Sequence, residues 1–216
     1  MAFILFDLDG TLVDSTDYMT KAIHLSIEDM QHIEEPSADL VRSAFGLTGA
    51  DFWEKVVPQA SMQERNIIRS RRSTFLYQLV KGNDILFPGV RETLAVLKEQ
   101  GHTLSTASNC GTNYLDMVLD TQEIRHYFSS PICLGSINGE KKADILTSHF
   151  ETFPKEDVYM VGDRSSDIEA ANAHGVPAVI CQYGFGTEEE WGKADFRIDA
   201  IADIVQLVNK QRRSAE

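Results

Sequence analysis

Ala2-Phe3-Ile4-Leu5-Phe6, followed at once by Asp7-Leu8-Asp9-Gly10-Thr11, decides how this chain is read. An apolar run cut off sharply by polar residues has the form of a fully buried strand. Thr103–Ala107 ends in the same way at Ser108-Asn109, Val158–Val161 at Gly162-Asp163, and Pro177–Cys181 at Tyr183-Gly184. Pro131–Leu134 is a further strand candidate. Helical spacing lies between these runs. Val90, Leu94 and Leu97 share a face before Gly101, Ile145, Leu146 and Phe150 lie within Lys142–Phe150, and Ile168–His174 stops at Gly175. Strand alternating with helix predicts an α/β fold, a doubly wound parallel sheet with helices on both faces.

Residues 15–84 break that rhythm. Met19, Ile23, Ile27 and Met30 follow helical spacing, and so do Leu40, Val41, Ala44 and Phe45. Ser61-Met62-Gln63-Glu64 has the pattern of a capping box before Ile68, Phe75 and Leu79. Lys81-Gly82-Asn83-Asp84 reads as a helix end and linker. The expectation is a core of residues 1–14 and 85–216 with an all-helical insert at 15–84. Lys210–Glu216 reads as a frayed polar tail.

Composition excludes several classes. The 216 residues suffice for one core plus a modest insert, long enough to bury roughly 70% of the unfolded surface. With 43% hydrophobic and 25% charged residues the chain is neither disordered nor collagen-like. A net charge of −13 repels nucleic acid and anionic lipid. The apolar runs are far short of a membrane span, and the opening MAFILFDLDG lacks the basic start of a secretory signal. Cys110, Cys133 and Cys181 form no CxxC pair and the six His no HxxxH pair. A disulfide framework or zinc site is not expected; reduced thiols of a cytoplasmic protein are.

Open parallel sheets bind ligands outside their carboxyl edge. The predicted strands end there in Asp7, Asp9 and Thr11, in Thr106, Ser108 and Asn109, and in Asp163 and Asp167, while Lys141-Lys142 opens the helix after the third strand. Each string alone has a plain reading: DxDG as a solvated turn, Asp167 as a helix cap, Asp163 as an Asx-turn. Four carboxylates at one sheet edge instead need a cation between them or a bound proton, and Mg²⁺ is the hard cation that suits them. Lys142 and Thr106 would add a positive charge and a hydroxyl. Metal, lysine and hydroxyl together suit a phosphoryl group, and a free Asp carboxylate is a nucleophile that can accept one.

These strings resemble the four motifs of the haloacid dehalogenase superfamily of phosphohydrolases, in order and across nearly the whole chain: Phe6 to Asp14, Thr106 at the end of Leu104-Ser105-Thr106-Ala107-Ser108-Asn109, Lys142 of Lys142-Ala143-Asp144, and Gly162-Asp163-Arg164-Ser165-Ser166-Asp167. The helical insert is similar to the family's small helical cap. That cap, together with the stretch from Asp167-Ile168-Glu169-Ala170-Ala171 to Tyr183-Gly184-Phe185-Gly186, looks most like phosphoglycolate-phosphatase-like members. The resemblance implies an aspartyl-phosphate on Asp7, with Asp9 protonating the leaving oxygen and then deprotonating water. It implies that Thr106 and Lys142 hold the phosphoryl group. Mg²⁺ would bind to Asp7, the Asp9 carbonyl and Asp163, with Asp167 behind them and Thr11 ordering the loop. Lys142 is preferred to Lys141 for its offset of two from Asp144. Asp at position 9 favours phosphate esters over the family's dehalogenase and phosphonatase chemistries. Met19, where the sugar phosphomutases carry His, disfavours a mutase.

The implied substrate is a small phosphorylated metabolite, phosphoglycolate first, with a nucleotide or pyrophosphate as the alternative. The insert is expected to select it through the loop Phe45-Gly46-Leu47-Thr48-Gly49, where Gly46 allows close approach and Thr48 can donate, with Arg42 one helical turn earlier. Arg69-Ser70-Arg71-Arg72 reads as a solvated helix face, because arginines on both sides of a helix cannot all converge on one site. Phe52 and Trp53 read as core of the insert.

Overall fold

The computed structural model describes residues 1–137 and 139–215, except the side chains of 212–215. Strand β1 is Phe3–Phe6. Four helices follow: α1 Thr16–Ile27, α2 Ala38–Ala44, α3 Gly49–Val56 and α4 Met62–Val80. Then come α5 Val90–Glu99, β2 Thr103–Ser108, α6 Thr112–Thr121, β3 Ile132–Cys133, α7 Leu134–Ile137 and α8 Lys142–Phe150. The chain continues through β4 Val158–Gly162, α9 Ser165–His174, β5 Ala178–Cys181, α10 Glu188–Trp191, β6 Phe196–Ile198 and α11 Asp203–Ala215.

All neighbouring strands pair in parallel, in the order β3-β2-β1-β4-β5-β6. The chain leaves β1 toward β2 and β3, then returns to its other side for β4. That reversal opens a crevice at the carboxyl ends of β1 and β4, where doubly wound sheets bind ligands. Phe3 lies level with Thr103 and Val158, and Phe6 with Thr106 and Val161.

Side chains along β1 alternate between two cores. Ile4 and Phe6 pack with Leu94, Leu97, Leu104 and Leu115 on one face. Phe3 and Leu5 pack with Ile145, Leu146 and Ile168 on the other. Continuous burial on both faces explains why β1 has no polar alternation to read.

The insert is helical as expected, and α4 opens with the capping box of Ser61 and Glu64. Its two connections to the core run side by side. Val13 bridges Leu86 in antiparallel fashion, Asp14 N donates to the Ile85 carbonyl, and Phe87 N donates to the Leu12 carbonyl.

Some elements differ from expectation. β6 was not legible because its three residues include the exposed Arg197 and sit at the sheet edge. α6 fills the segment after β2. The expected tail is helical through Ala215, and Glu216 lies outside the described residues. Among the described residues no helix is long and apolar enough to cross a membrane.

Leu5→Ala is expected to lower unfolding free energy by about 2–5 kcal/mol, because Leu5 is fully buried in a filled layer. Val96→Ala, at a 39% exposed position of α5, should change it by less than about 0.5 kcal/mol. Urea denaturation of both variants checks the contrast.

Candidate active site

Asp7 is the first residue past β1, its N–H still bonded to the Val161 carbonyl at 2.9 Å. Asp163 directly follows β4, and Asp167 lies in the first turn of α9. The sheet crossover therefore brings three carboxylates together from two strand ends. One oxygen of each lies within 4.8 Å of the others. Lys142, the first residue of α8, reaches in from a helix packed on β2 and α9. Its Nζ donates to Asp7 Oδ2 at 2.8 Å and to Asp167 Oδ1 at 2.6 Å. Lys141 caps the same helix, and its backbone N–H donates to Asp144 Oδ2, so Lys142 is the lysine at the site.

Asp167 is both helix cap and site residue. Its Oδ2 accepts from the N–H groups of Asp163 and Arg164, at 3.1 and 3.0 Å, while its other oxygen holds Lys142. Asp163 Oδ2 accepts from Phe185 N at 2.6 Å. Asp163 Oδ1 is enclosed and has no hydrogen-bond partner among the described residues. Burial pushes Asp163 well above the usual carboxylate range, and the charges of Asp167 and Asp7 push it the same way. Burial also raises Asp167, against the pull of Lys142. Burial alone would lower Lys142, but Asp167 and Asp7 outweigh it and hold the ammonium above its ordinary value.

This set fits a divalent cation. Three carboxylates facing one ammonium would leave two negative charges if all were ionised, a surplus that a cation would neutralise, and the unpartnered Asp163 oxygen points to a ligand outside the chain. All-oxygen donors are those preferred by Mg²⁺.

The Asp9 carboxylate stands apart from the three. Its Oδ1 accepts from Ser15 Oγ at 2.9 Å and from the Tyr114 hydroxyl at 2.5 Å. Burial raises Asp9 to about 7, helped by the charge of Asp7 and opposed by the bonds from Tyr114 and Ser15. A carboxyl group in that range holds and releases a proton near neutrality. Ser15 and Tyr114 were not foreseen. Tyr114 lies 105 residues from Asp9 and only the packing of α6 unites them.

Above these groups lies a cavity of about 610 Å³, lined by Asp7, Asp9, Ser108, Asn109 and Gly46 and walled by Phe45, Phe52, Trp53, Arg69 and Arg72. Asn109 Nδ2 donates to the Gly46 carbonyl at 2.7 Å, and Arg164 Nη1 to the Phe45 carbonyl at 2.9 Å. The turn of the insert is thus fastened to the core beside the cavity.

Three expected residues, Thr106, Thr48 and Arg42, fall elsewhere, and Thr11 lies in the turn after β1. Thr106 is inside β2, level with Phe6, and its hydroxyl donates to the Ile132 carbonyl at 2.8 Å. The strand runs two residues further, so the hydroxyl at its carboxyl end is that of Ser108. Thr48 caps α3 and donates to Asp51 Oδ2 at 2.6 Å. Arg42 faces Asp14, 3.7 Å away, and the ring of Phe185. Neither Thr48 nor Arg42 lines the cavity. Thr11 is sealed within its turn, where its N–H bonds the Leu8 carbonyl and its carbonyl accepts from Tyr183 Oη. Its hydroxyl is enclosed without a partner among the described residues.

The family model of haloacid dehalogenase-like hydrolases matches residues 4–181. The chain belongs to that family, and within it is an enzyme of the phosphatase type. It is 29% identical over 212 residues to a phosphoglycolate phosphatase of Aliivibrio fischeri, covering 93% of this chain and 91% of the relative. It is likewise 29% identical over 218 residues to a phosphoglycolate phosphatase of Mannheimia succiniciproducens, covering 94% and 96%. A crystal structure of a predicted phosphoglycolate phosphatase from Haemophilus somnus superposes with a TM-score of 0.83 at 26% identity, covering 96% of this chain and 97% of the other.

Gly10 sits at φ +81°, where a Cβ would overlap the Asp163 carboxylate. Gly82 has the same φ with nothing within 4 Å. Gly10→Ala should therefore cost about 2–5 kcal/mol, backbone strain plus overlap. Gly82→Ala should cost about 1–2 kcal/mol from strain alone. Equilibrium unfolding of the two variants separates the contributions.

Proposed function

We propose that the chain is a Mg²⁺-dependent phosphomonoester hydrolase acting on a small phosphorylated metabolite through an aspartyl-phosphate on Asp7. The observation that carries this reading is the pairing of Asp7 with Lys142, beside the unpartnered oxygen of Asp163 and across from an Asp9 poised near neutrality. Asp7, the Asp9 carbonyl and Asp163 would hold the cation, with Asp167 positioning Lys142 and the loop. When bound, the cation would supply charge neutralisation for the phosphoryl oxygens.

Lys142 keeps Asp7 oriented and would share its ammonium with a phosphoryl oxygen. Asp7 Oδ attacks phosphorus, and the ester oxygen departs with the proton of Asp9. Asp9, now a carboxylate, takes a proton from water as that water attacks the phosphoryl group and frees Asp7. Tyr114 and Ser15 keep the Asp9 carboxyl aimed. Ser108 and Asn109, at the end of β2, line the phosphoryl end of the cavity. Residues 15–84 act as the cap.

Phosphoglycolate is the first substrate to test, since the curated relatives carry that activity in their names. A cavity of about 610 Å³ with an aromatic wall favours a larger ester as the second reading, a nucleotide or pyrophosphate on the same machinery.

Phosphate release should be measured from a panel of phosphomonoesters, nucleotides and pyrophosphate, with Mg²⁺ and with chelator. Turnover is expected only with the metal; full activity in excess chelator sinks the reading. Asp7→Asn should lose about 10⁴-fold or more, since it removes the nucleophile. Asp9→Asn should lose about 10²–10⁴-fold and leave phospho-Asp7 to accumulate with activated esters. Metal titration of Asp163→Ala and Asp167→Ala should find the weaker Mg²⁺ binding in Asp163→Ala, because its carboxylate has an oxygen free for the ion.

A further inference from the structure

The insert carries five arginines, and their partners divide them. Arg42 faces Asp14, Arg65 faces Glu54, and Arg71 holds both carboxylate oxygens of Asp29. Arg69 and Arg72 have no carboxylate within ion-pair distance among the described residues, and these are the two that line the cavity. Their spacing of three puts them on one face of α4, while Arg71 between them points to the far side. The basic cluster is therefore split: one member is a structural ion pair, and two present charge to the site.

Arg72 is the more enclosed. Its Cζ lies 5.5 Å from the centre of the Trp53 ring, and its Nε is shut off from solvent without a hydrogen-bond partner among the described residues. Burial pulls its pKa down, while Tyr114 and Asp9 on the facing wall pull it up. A guanidinium held this way is partly stripped of water, with no carboxylate in ion-pair contact among the described residues, a costly state that an anionic ligand relieves. Its planar fork suits a carboxylate or phosphate, which it can grip with two parallel hydrogen bonds. The surface at large carries a net charge of −13 and repels anions, so a cationic wall at the cavity also favours their entry.

We infer that Arg72, assisted by Arg69, binds a second anionic group on the leaving part of the substrate, a carboxylate or a second phosphate, and so selects esters that carry one. The inference rests on the proposed reading that the phosphoryl end sits at Asp7; the remainder of a ligand in this cavity then meets α4. Arg72 replaces Arg42 and Thr48 as the residue expected to choose the substrate. Trp53, under the guanidinium, fixes its plane and keeps water from one side.

The test compares matched esters that differ in the second anion. Phosphoglycolate is set against ethyl phosphate, and propane-1,3-diyl bisphosphate against 3-hydroxypropyl phosphate, each with Mg²⁺. In the wild type the kcat/KM ratio of anionic to neutral ester should be about tenfold or more in at least one pair, since a charge-assisted hydrogen bond is being counted. The pair that responds identifies the anion as carboxylate or phosphate. Arg72→Met keeps the stem on Trp53 and should collapse that ratio toward one. Arg72→Lys should restore part of it. Arg71→Met, which removes the same charge from the opposite face, should leave the ratio as in the wild type. A wild-type ratio near one in both pairs overturns the inference, and so does a ratio that Arg72→Met does not move or that Arg71→Met lowers equally. If no ester turns over, p-nitrophenyl phosphate included, the phosphatase reading fails instead. The subsite is then judged by calorimetry with phosphoglycolate and the bisphosphate. Binding that Arg72→Met weakens about tenfold supports it, and binding that is absent or unchanged overturns it.

Discussion

Lys142 contacts Asp7 and Asp167 with its side chain 1% exposed and theirs 4% and 0%. Moving such charges out of water costs several kcal/mol each, and their mutual attraction offsets this only where the geometry is close and the remaining lone pairs are satisfied. The fold meets those conditions for most of the group. Backbone N–H groups of Asp163, Arg164 and Phe185 satisfy carboxylate oxygens of Asp167 and Asp163. What remains unmet is one oxygen of Asp163 and the surplus negative charge. The site is thus built to be completed from outside, and the strain of incompleteness lies where a cation and a phosphoryl group would come.

That constraint explains the neighbouring backbone. Gly10 lacks a Cβ because the Asp163 carboxylate occupies its place. Tyr183 ties its hydroxyl to the Thr11 carbonyl, and Trp191 donates to the Asp163 carbonyl at 3.1 Å. The loop after β1 is thereby held from the β5 side as well as from β4. Positioning of this kind suits phosphoryl transfer, where the protein supplies placement and charge rather than much covalent chemistry.

The two families of contact around the cavity divide the work. Core strand ends hold the carboxylates and lysine on short, rigid connections. The insert supplies the rings and guanidinium groups of the opposite wall and touches the core through Asn109 and Arg164 on the carbonyls of Gly46 and Phe45. The insert also joins the core through the paired segments at Val13 and Leu86, the stacking of Phe45 on Phe185 and the packing of α4 on α6.

The α/β fold was legible because β1, β4 and β5 are continuous apolar runs ended by polar residues, and burial on both faces leaves that trace, while β2 carries small Thr, Ser and Ala side chains around Leu104. Asp7 and Asp163 were legible for the same reason: each follows a strand end, and strand ends in a parallel sheet share one edge; Asp167 stands four residues on, in the first turn of the helix that β4 leads into. The helical insert showed in its spacing and its capping box. The sequence could not decide which hydroxyl of β2 reaches the edge, since a shift of two residues keeps the same face and only the length of pairing separates Thr106 from Ser108. Nor could it supply Tyr114 beside Asp9, a contact made by packing α6 against a turn far away in sequence. The basic run on α4 reads alike whether its arginines meet solvent, Asp29 or the cavity. Helix rotation and the position of Trp53 decide that, and both are set by tertiary packing rather than by any local preference of the chain.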